Sequence, residues 1–250
     1  MDDAPAPTAA PKVSRTGFYL RRLHSLSGVL PVGVFLVEHL WTNATVLGGQ
    51  RPFDEAVARI HALPALPFIE VAFILAPLAF HAGFGLWLMR SSSFNAQRYT
   101  YGKNWLYVLQ RVTGVLTLLF VLAHLWEFRI QVWLHGMHHG SFFTVAMAHL
   151  SYTKGGVPWI ALGYLVGVAA AVFHFANGLS GFVMSWGIAG SRRAQRTLGW
   201  VFGGAGAALF LLGFSTILYL ATGTRIIPIA ASANEAAPCP APSASTGANR

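Results

Sequence analysis

Residues 106–128 read LYVLQRVTGVLTLLFVLAHLWEF. At a rise of about 1.5 Å per residue this run crosses a hydrocarbon layer of about 30 Å. Its formal charges, Arg111 and Glu127, sit near its two ends, and one histidine, His124, sits inside it. Four more runs of this length and character occur at 26–46, 66–89, 157–186 and 198–220. Three of them also enclose a histidine: His39 in GVFLVEHLW (33–41), His81 in APLAFHAGF (76–84) and His174 in AAAVFHFANG (169–178). With 54% hydrophobic and 10% charged residues and a mean hydropathy of +0.53, the chain reads as an all-α polytopic membrane protein of five transmembrane helices. The fourth run is longer than a perpendicular helix needs, so it is expected to tilt, kink near its glycines or extend past the bilayer.

The basic residues set the orientation. Lys12, Arg15, Arg21, Arg22, Arg90, Arg98, Lys103, Arg111, Arg192, Arg193 and Arg196 fall on one side, against a smaller and acid-interspersed set on the other. The positive-inside rule then puts the N-terminus in the cytoplasm and the C-terminus outside, as expected for a multi-pass protein of a bacterial cytoplasmic membrane. The net charge of +9 is a topology signal, and no basic stripe with interleaved aromatics points to nucleic acid. Residues 1–14 and 223–250, rich in Pro, Ala and Ser, read as disordered ends flanking a five-helix domain at 15–222. The first apolar run lacks the features of a cleaved signal peptide, so it is expected to be retained. The one cysteine, Cys239, lies in the tail. That excludes thiolate metal sites and a CxxCH attachment, so any haem here is of the non-covalent b type.

Depth decides which histidines meet. His39 and His124, on helices that run outward, come out in the outer half of the bilayer; His81 and His174, on helices that run inward, come out in the inner half. Paired in this way, the four imidazoles are axial ligands for two stacked haems near opposite faces. The competing reading makes each an interhelical hydrogen-bond donor or a member of a proton relay. Gly83, Gly85, Gly178 and Gly181 beside two of them suit either a macrocycle or bare helix packing.

The stretches FYLRRLHSLSGVLPVGVFLVEHL, YGKNWLYVLQRVTGVLTLLFVLAHLWE and FHFANGLSGFVMSWGI resemble the two-haem cytochrome b subunit of succinate:quinone oxidoreductases, the type with a single five-helix anchor. The resemblance covers roughly residues 15–220, and all four histidines fall in order. It implies that His39, His124, His81 and His174 ligate two b haems in the pairing depth gives. It also implies a flavoprotein with covalent FAD, an iron–sulfur subunit on the cytoplasmic face, and menaquinone as the acceptor. A fumarate reductase anchor running in reverse fits the same sequence. A transporter or proton channel without cofactor is the reading from a different class.

Arg21, Arg22 and Arg111 lie at the level where the inner haem would present its propionates, with lipid phosphate as the rival partner of the first two. His24 sits at the same interface, where propionate or iron–sulfur subunit contact competes with a structural role. Glu38, Glu70 and Glu127 cluster at the outer helix ends, where an acid could supply protons to a reduced quinone, with an inner quinone site near His24 and Arg22 as the rival; Glu38 and Glu70 are the candidates, and Glu127 reads as a plain interfacial glutamate. His135, His138 and His139 form one HxxHH box, short of the several that di-iron hydroxylases need, and read as a solvated outer loop. His61 and His149 read as loop residues.

Overall fold

The computed structural model describes residues 14–90, 102–135 and 142–227. Five helices are long and apolar enough to cross a membrane: α1 (Arg15–Gly48), α3 (Leu66–Arg90), α4 (Asn104–Ile130), α6 (Trp159–Ser185) and α7 (Arg192–Thr222). Two shorter ones, α2 (Gln50–His61) and α5 (Phe142–Leu150), occupy the connections before α3 and α6. No strand occurs among the described residues beyond the single bridge Lys154–Val157. Residues 1–13 and 228–250, Arg98, His138 and His139 fall outside the described residues, as do the side chains of Lys103 and His135; at the margins of the expected disordered ends, Ser14 caps α1 and Arg225 donates to the Tyr219 hydroxyl at 3.1 Å.

Helix boundaries depart from the apolar runs where polar residues remain helical. Ser14 caps α1 by accepting from Gly17 N at 3.1 Å, so the helix begins well before the apolar run at 26. Its 34 residues extend about 50 Å, and the segment with Arg15, Arg21 and Arg22 projects beyond the hydrocarbon. Ser191 caps α7 in the same manner through Ala194 N at 3.1 Å. α6 runs unbroken over 27 residues, about 40 Å, longer than a perpendicular crossing needs. His61 and His149 are not loop residues: they lie in the last turns of α2 and α5. These helices are too short for a membrane-length window, and the inward pair Phe53 and Ala56, three apart, is the signal that marks α2.

Three irregularities shape the bundle. Pro31 has no N–H to donate, which separates α1 into Arg15–Val29 and Pro31–Ala44. In α3 a stretch of wide i→i+5 turns covers Glu70–Leu75, just ahead of Pro77. In α4 similar wide turns cover Trp126–Ile130, immediately after His124.

α6 packs against α1, α4 and α7. Gly206 of α7 faces Ala176 of α6, and Gly213 faces Val168, an antiparallel seam in which an added Cβ would lie 2.8 Å from its neighbour at both positions. Without a hydrophobic drive between helices in lipid, such close backbone approach supplies the dispersion contact that holds them. The apolar core concentrates at one end, where Leu40, Val46 and Leu47 of α1, Phe53 of α2, Leu150 of α5, Val168 of α6 and Leu220 of α7 converge. We call this the outer end, and the end bearing Arg15, Arg90 and Arg192 the inner end. Gly206→Val is expected to destabilise the protein by about 1–3 kcal/mol through overpacking, whereas Gly203→Ala, with open space around it, leaves thermal unfolding in detergent unchanged.

Candidate functional site

The four intramembrane histidines come together as two pairs. At the inner level, His81 of α3 and His174 of α6 have ring centroids 6.2 Å apart at 87°. His81 Nδ1 lies 3.0 Å from the carbonyl of His24, and His174 Nδ1 lies 2.9 Å from the carbonyl of Gln110. A carbonyl only accepts, so both rings carry their proton on Nδ1 and keep the Nε2 lone pair. The side chain of Gln110 donates to His174 O at 3.1 Å, passes 3.2 and 3.4 Å from the two ring nitrogens, and accepts from Asn177 at 2.7 Å. Glycine permits the close approach: a Cβ on Gly28 would collide with the His81 ring, and one on Gly114 would come within 2.9 Å of His174.

His24, expected at the interface, packs into this inner group. Its ring stacks on His81 at 4.2 Å and 12°, and its Nδ1 is buried with no hydrogen-bond partner.

At the outer level, His39 of α1 and His124 of α4 are 5.6 Å apart at 76°. Tyr164 of α6 donates its hydroxyl proton to Glu127 at 2.6 Å. The same oxygen lies 3.3 Å from His124 Nδ1, and having spent its proton it accepts from that nitrogen, which again leaves Nε2 with the lone pair. His149 Nε2 is 3.1 Å from the Glu127 carboxylate but off the line of a hydrogen bond. A groove of about 300 Å³ opens here between α4 and α6, lined by Phe120, His124, Glu127, Tyr164 and Gly167 among others. His39 departs from the pattern. Asn43 holds its carbonyl at 2.8 Å and stands 3.3 Å from its Nε2.

The charged candidates are spread around these pairs. Arg21 is exposed. Arg22 donates to the Ser185 carbonyl and lies over the rings of Phe18 and Trp186, while Trp186 Nε1 donates to Ser25 at 3.0 Å, so this arginine ties α1 to the inner end of α6. Arg111 donates to the Tyr107 hydroxyl, its guanidinium 4.0 Å from that ring centre. Glu38 is exposed and accepts from Thr42 at 2.5 Å. Glu70 forms an ion pair with Arg129, joining the wide turns of α3 and α4.

The donor chemistry fits haem. His81 with His174 and His39 with His124 are imidazole pairs on different helices, a donor set that would suit an iron held in a macrocycle. Three of the four rings have Nδ1–H pinned by an acceptor, the arrangement that fixes tautomer and orientation in metal-ligating histidines. Tyr164 and the two glycines were missed from the sequence. A depth count finds the tyrosine: it lies ten residues outward of His174 on α6, about 15 Å, which is the level of His124.

The Glu70–Arg129 pair is half-buried, so its partners should couple. A double-mutant cycle with Glu70→Gln and Arg129→Gln, read by thermal unfolding in detergent, is expected to give about 0.5–3 kcal/mol of coupling energy, and additive effects would show that the two wide turns are held by packing alone.

No family model matches the chain. It is similar to the succinate dehydrogenase cytochrome b558 subunit of Bacillus subtilis (strain 168), 40% identical over 179 residues that cover 72% of this chain and 85% of that protein. An identity of this level over most of both chains, together with the five spans, places the chain: it belongs to the family of succinate dehydrogenase cytochrome b subunits, the multi-pass membrane anchors of succinate:quinone oxidoreductases.

Proposed function

We propose that this anchor holds two b haems, His81 with His174 at the inner level and His39 with His124 at the outer, and conducts electrons from a cytoplasmic iron–sulfur subunit to menaquinone. The relative's name, a cytochrome b subunit of succinate dehydrogenase, brings haem b to this chain, together with a flavoprotein that holds FAD and an iron–sulfur protein as partners. The observation that carries the two-haem reading is the pair of facing imidazole sets, three of whose rings have Nδ1 bonded to an acceptor. Haem, when bound, supplies one-electron chemistry, and the protein sets its potential through axial ligands, burial and neighbouring hydrogen bonds.

The chain's own residues hold and tune those groups. His81 and His174 present Nε2 while main-chain carbonyls keep their rings from turning. His39 ligates once Asn43 yields its Nε2. The unsatisfied Nδ1 of His24 and the guanidinium groups of Arg21, Arg22 and Arg111 serve the anionic propionates of the inner group. With the arginine-rich end cytoplasmic, that end also carries the surface on which the iron–sulfur subunit sits. Haem content tests the pairing: the loaded complex is expected to hold two haems per chain by pyridine haemochrome. His81→Ala and His174→Ala are expected to lose the same haem, and His39→Ala and His124→Ala the other. A variant that crosses these groups would break the assignment.

Quinone reduction takes up two electrons and two protons, so the outer site needs an acid beside a flat apolar slot. The groove between α4 and α6 has aromatic and aliphatic walls and the Glu127 carboxylate within it; Glu38 and Glu70, at the same end, are further proton carriers. Glu127→Gln is expected to slow succinate-dependent quinone reduction at least several-fold while succinate oxidation by an artificial acceptor at the flavoprotein stays intact. Equal loss of both activities would mean misassembly, and a larger effect of Glu70→Gln would move the entry point of the protons to the α3 side.

A further inference from the structure

We infer that Tyr164 is a positioning residue for His124: its hydroxyl, polarised by Glu127, receives the His124 Nδ1 proton and so fixes the ring and strengthens it as a ligand. The inference rests on the reading of His124 as an iron ligand. It concerns an asymmetry between the two levels that this reading does not contain. At the inner level, both Nδ1 protons go to main-chain carbonyls, of His24 and Gln110, which no substitution removes. At the outer level, the acceptor for His124 is a side chain.

Proton counting sets the direction of the chain. Tyr164 has one hydroxyl proton, and it is donated to Glu127 Oε2 at 2.6 Å. The oxygen then faces His124 Nδ1 at 3.3 Å as an acceptor. A phenol whose proton is drawn toward a carboxylate is a better acceptor than a free one, since bonds in such a chain polarise one another. Withdrawal of the Nδ1 proton makes the imidazole more basic at Nε2. A more basic axial ligand favours ferric over ferrous iron, so Tyr164 lowers the potential of the haem that His124 binds.

Position supports the assignment beyond the hydrogen bonds. The Tyr164 ring stands 5.9 Å from His124 at 72° and 5.2 Å from Phe120 at 90°, and Phe120 itself fills the space that Gly167 leaves on α6. The phenol is therefore flanked by rings of α4 and, at 6.2 Å, by His149 of α5, with its hydroxyl toward His124. His149, 3.1 Å from the Glu127 carboxylate, adds a group beside the far end of the chain.

Potentiometric titration of the haem α-bands in the purified complex tests this, with the electron paramagnetic resonance signals of the two low-spin haems as a second readout. Tyr164→Phe keeps the ring and removes the acceptor. It is expected to raise the midpoint of the haem that His124→Ala eliminates, to shift that haem's g values, to weaken its retention by roughly 10–100-fold, and to leave the other haem untouched. Glu127→Gln, which leaves the phenol in place, is expected to shift the same midpoint upward as well. It carries the test if the Tyr164 variant does not assemble. Unchanged midpoints and signals in these variants, or equal shifts in both haems, would overturn the inference. If His124→Ala retains both haems, the ligand assignment itself falls, a failure visible without the tyrosine variant.

Discussion

A neutral imidazole in hydrocarbon costs several kcal/mol unless its N–H finds an acceptor, and four of them in one small bundle dictate much of its geometry. For His81 the acceptor is a carbonyl on α1, for His174 a carbonyl on α4, and for His124 a hydroxyl on α6. Every one of these bonds crosses between helices. The histidines thus fasten α3 to α1 and α4 to α6, and the glycines opposite them, Gly28 and Gly114, bring the backbones close enough for a short side chain to reach. Binding chemistry and helix packing here use the same contacts.

The seam between α6 and α7 is of another kind. No histidine takes part, and Gly206 and Gly213 let the two helices meet through backbone and small side chains. α7 and the outer cluster around Val46 and Leu47 stiffen the end of α6 that carries Tyr164. α3 and α4 are also joined by a polar tie, the Glu70–Arg129 pair.

The number of spans was legible in the sequence because hydrocarbon rejects charge, and each apolar run lies within or almost within a helix. Starts were less legible: Arg15 to Ser25 and Arg192 to Arg196 stay helical while polar, and hydropathy does not register that. The histidines could be sorted by depth because rise per residue is fixed, which makes axial position a matter of counting. What counting does not carry is azimuth across irregular turns. Glu127 looked like one interfacial acid among three, yet the wide turns at Trp126–Ile130 aim it at Tyr164 and send Arg129 toward Glu70. Partners on other helices, such as the carbonyl of Gln110 under His174, leave no trace in local sequence.

Those wide turns have a further implication. A stretch of i→i+5 bonding amounts to one residue inserted into an α-helix, and one residue is about 100° of rotation about the axis. The part of α4 beyond His124 is therefore out of phase with the part before it. A single-residue deletion between 126 and 130 would restore regular α-helix and swing Glu127 or Arg129 away from its partner without removing either side chain. Length in that segment, as well as residue identity, is a quantity that redesign of this chain has to preserve.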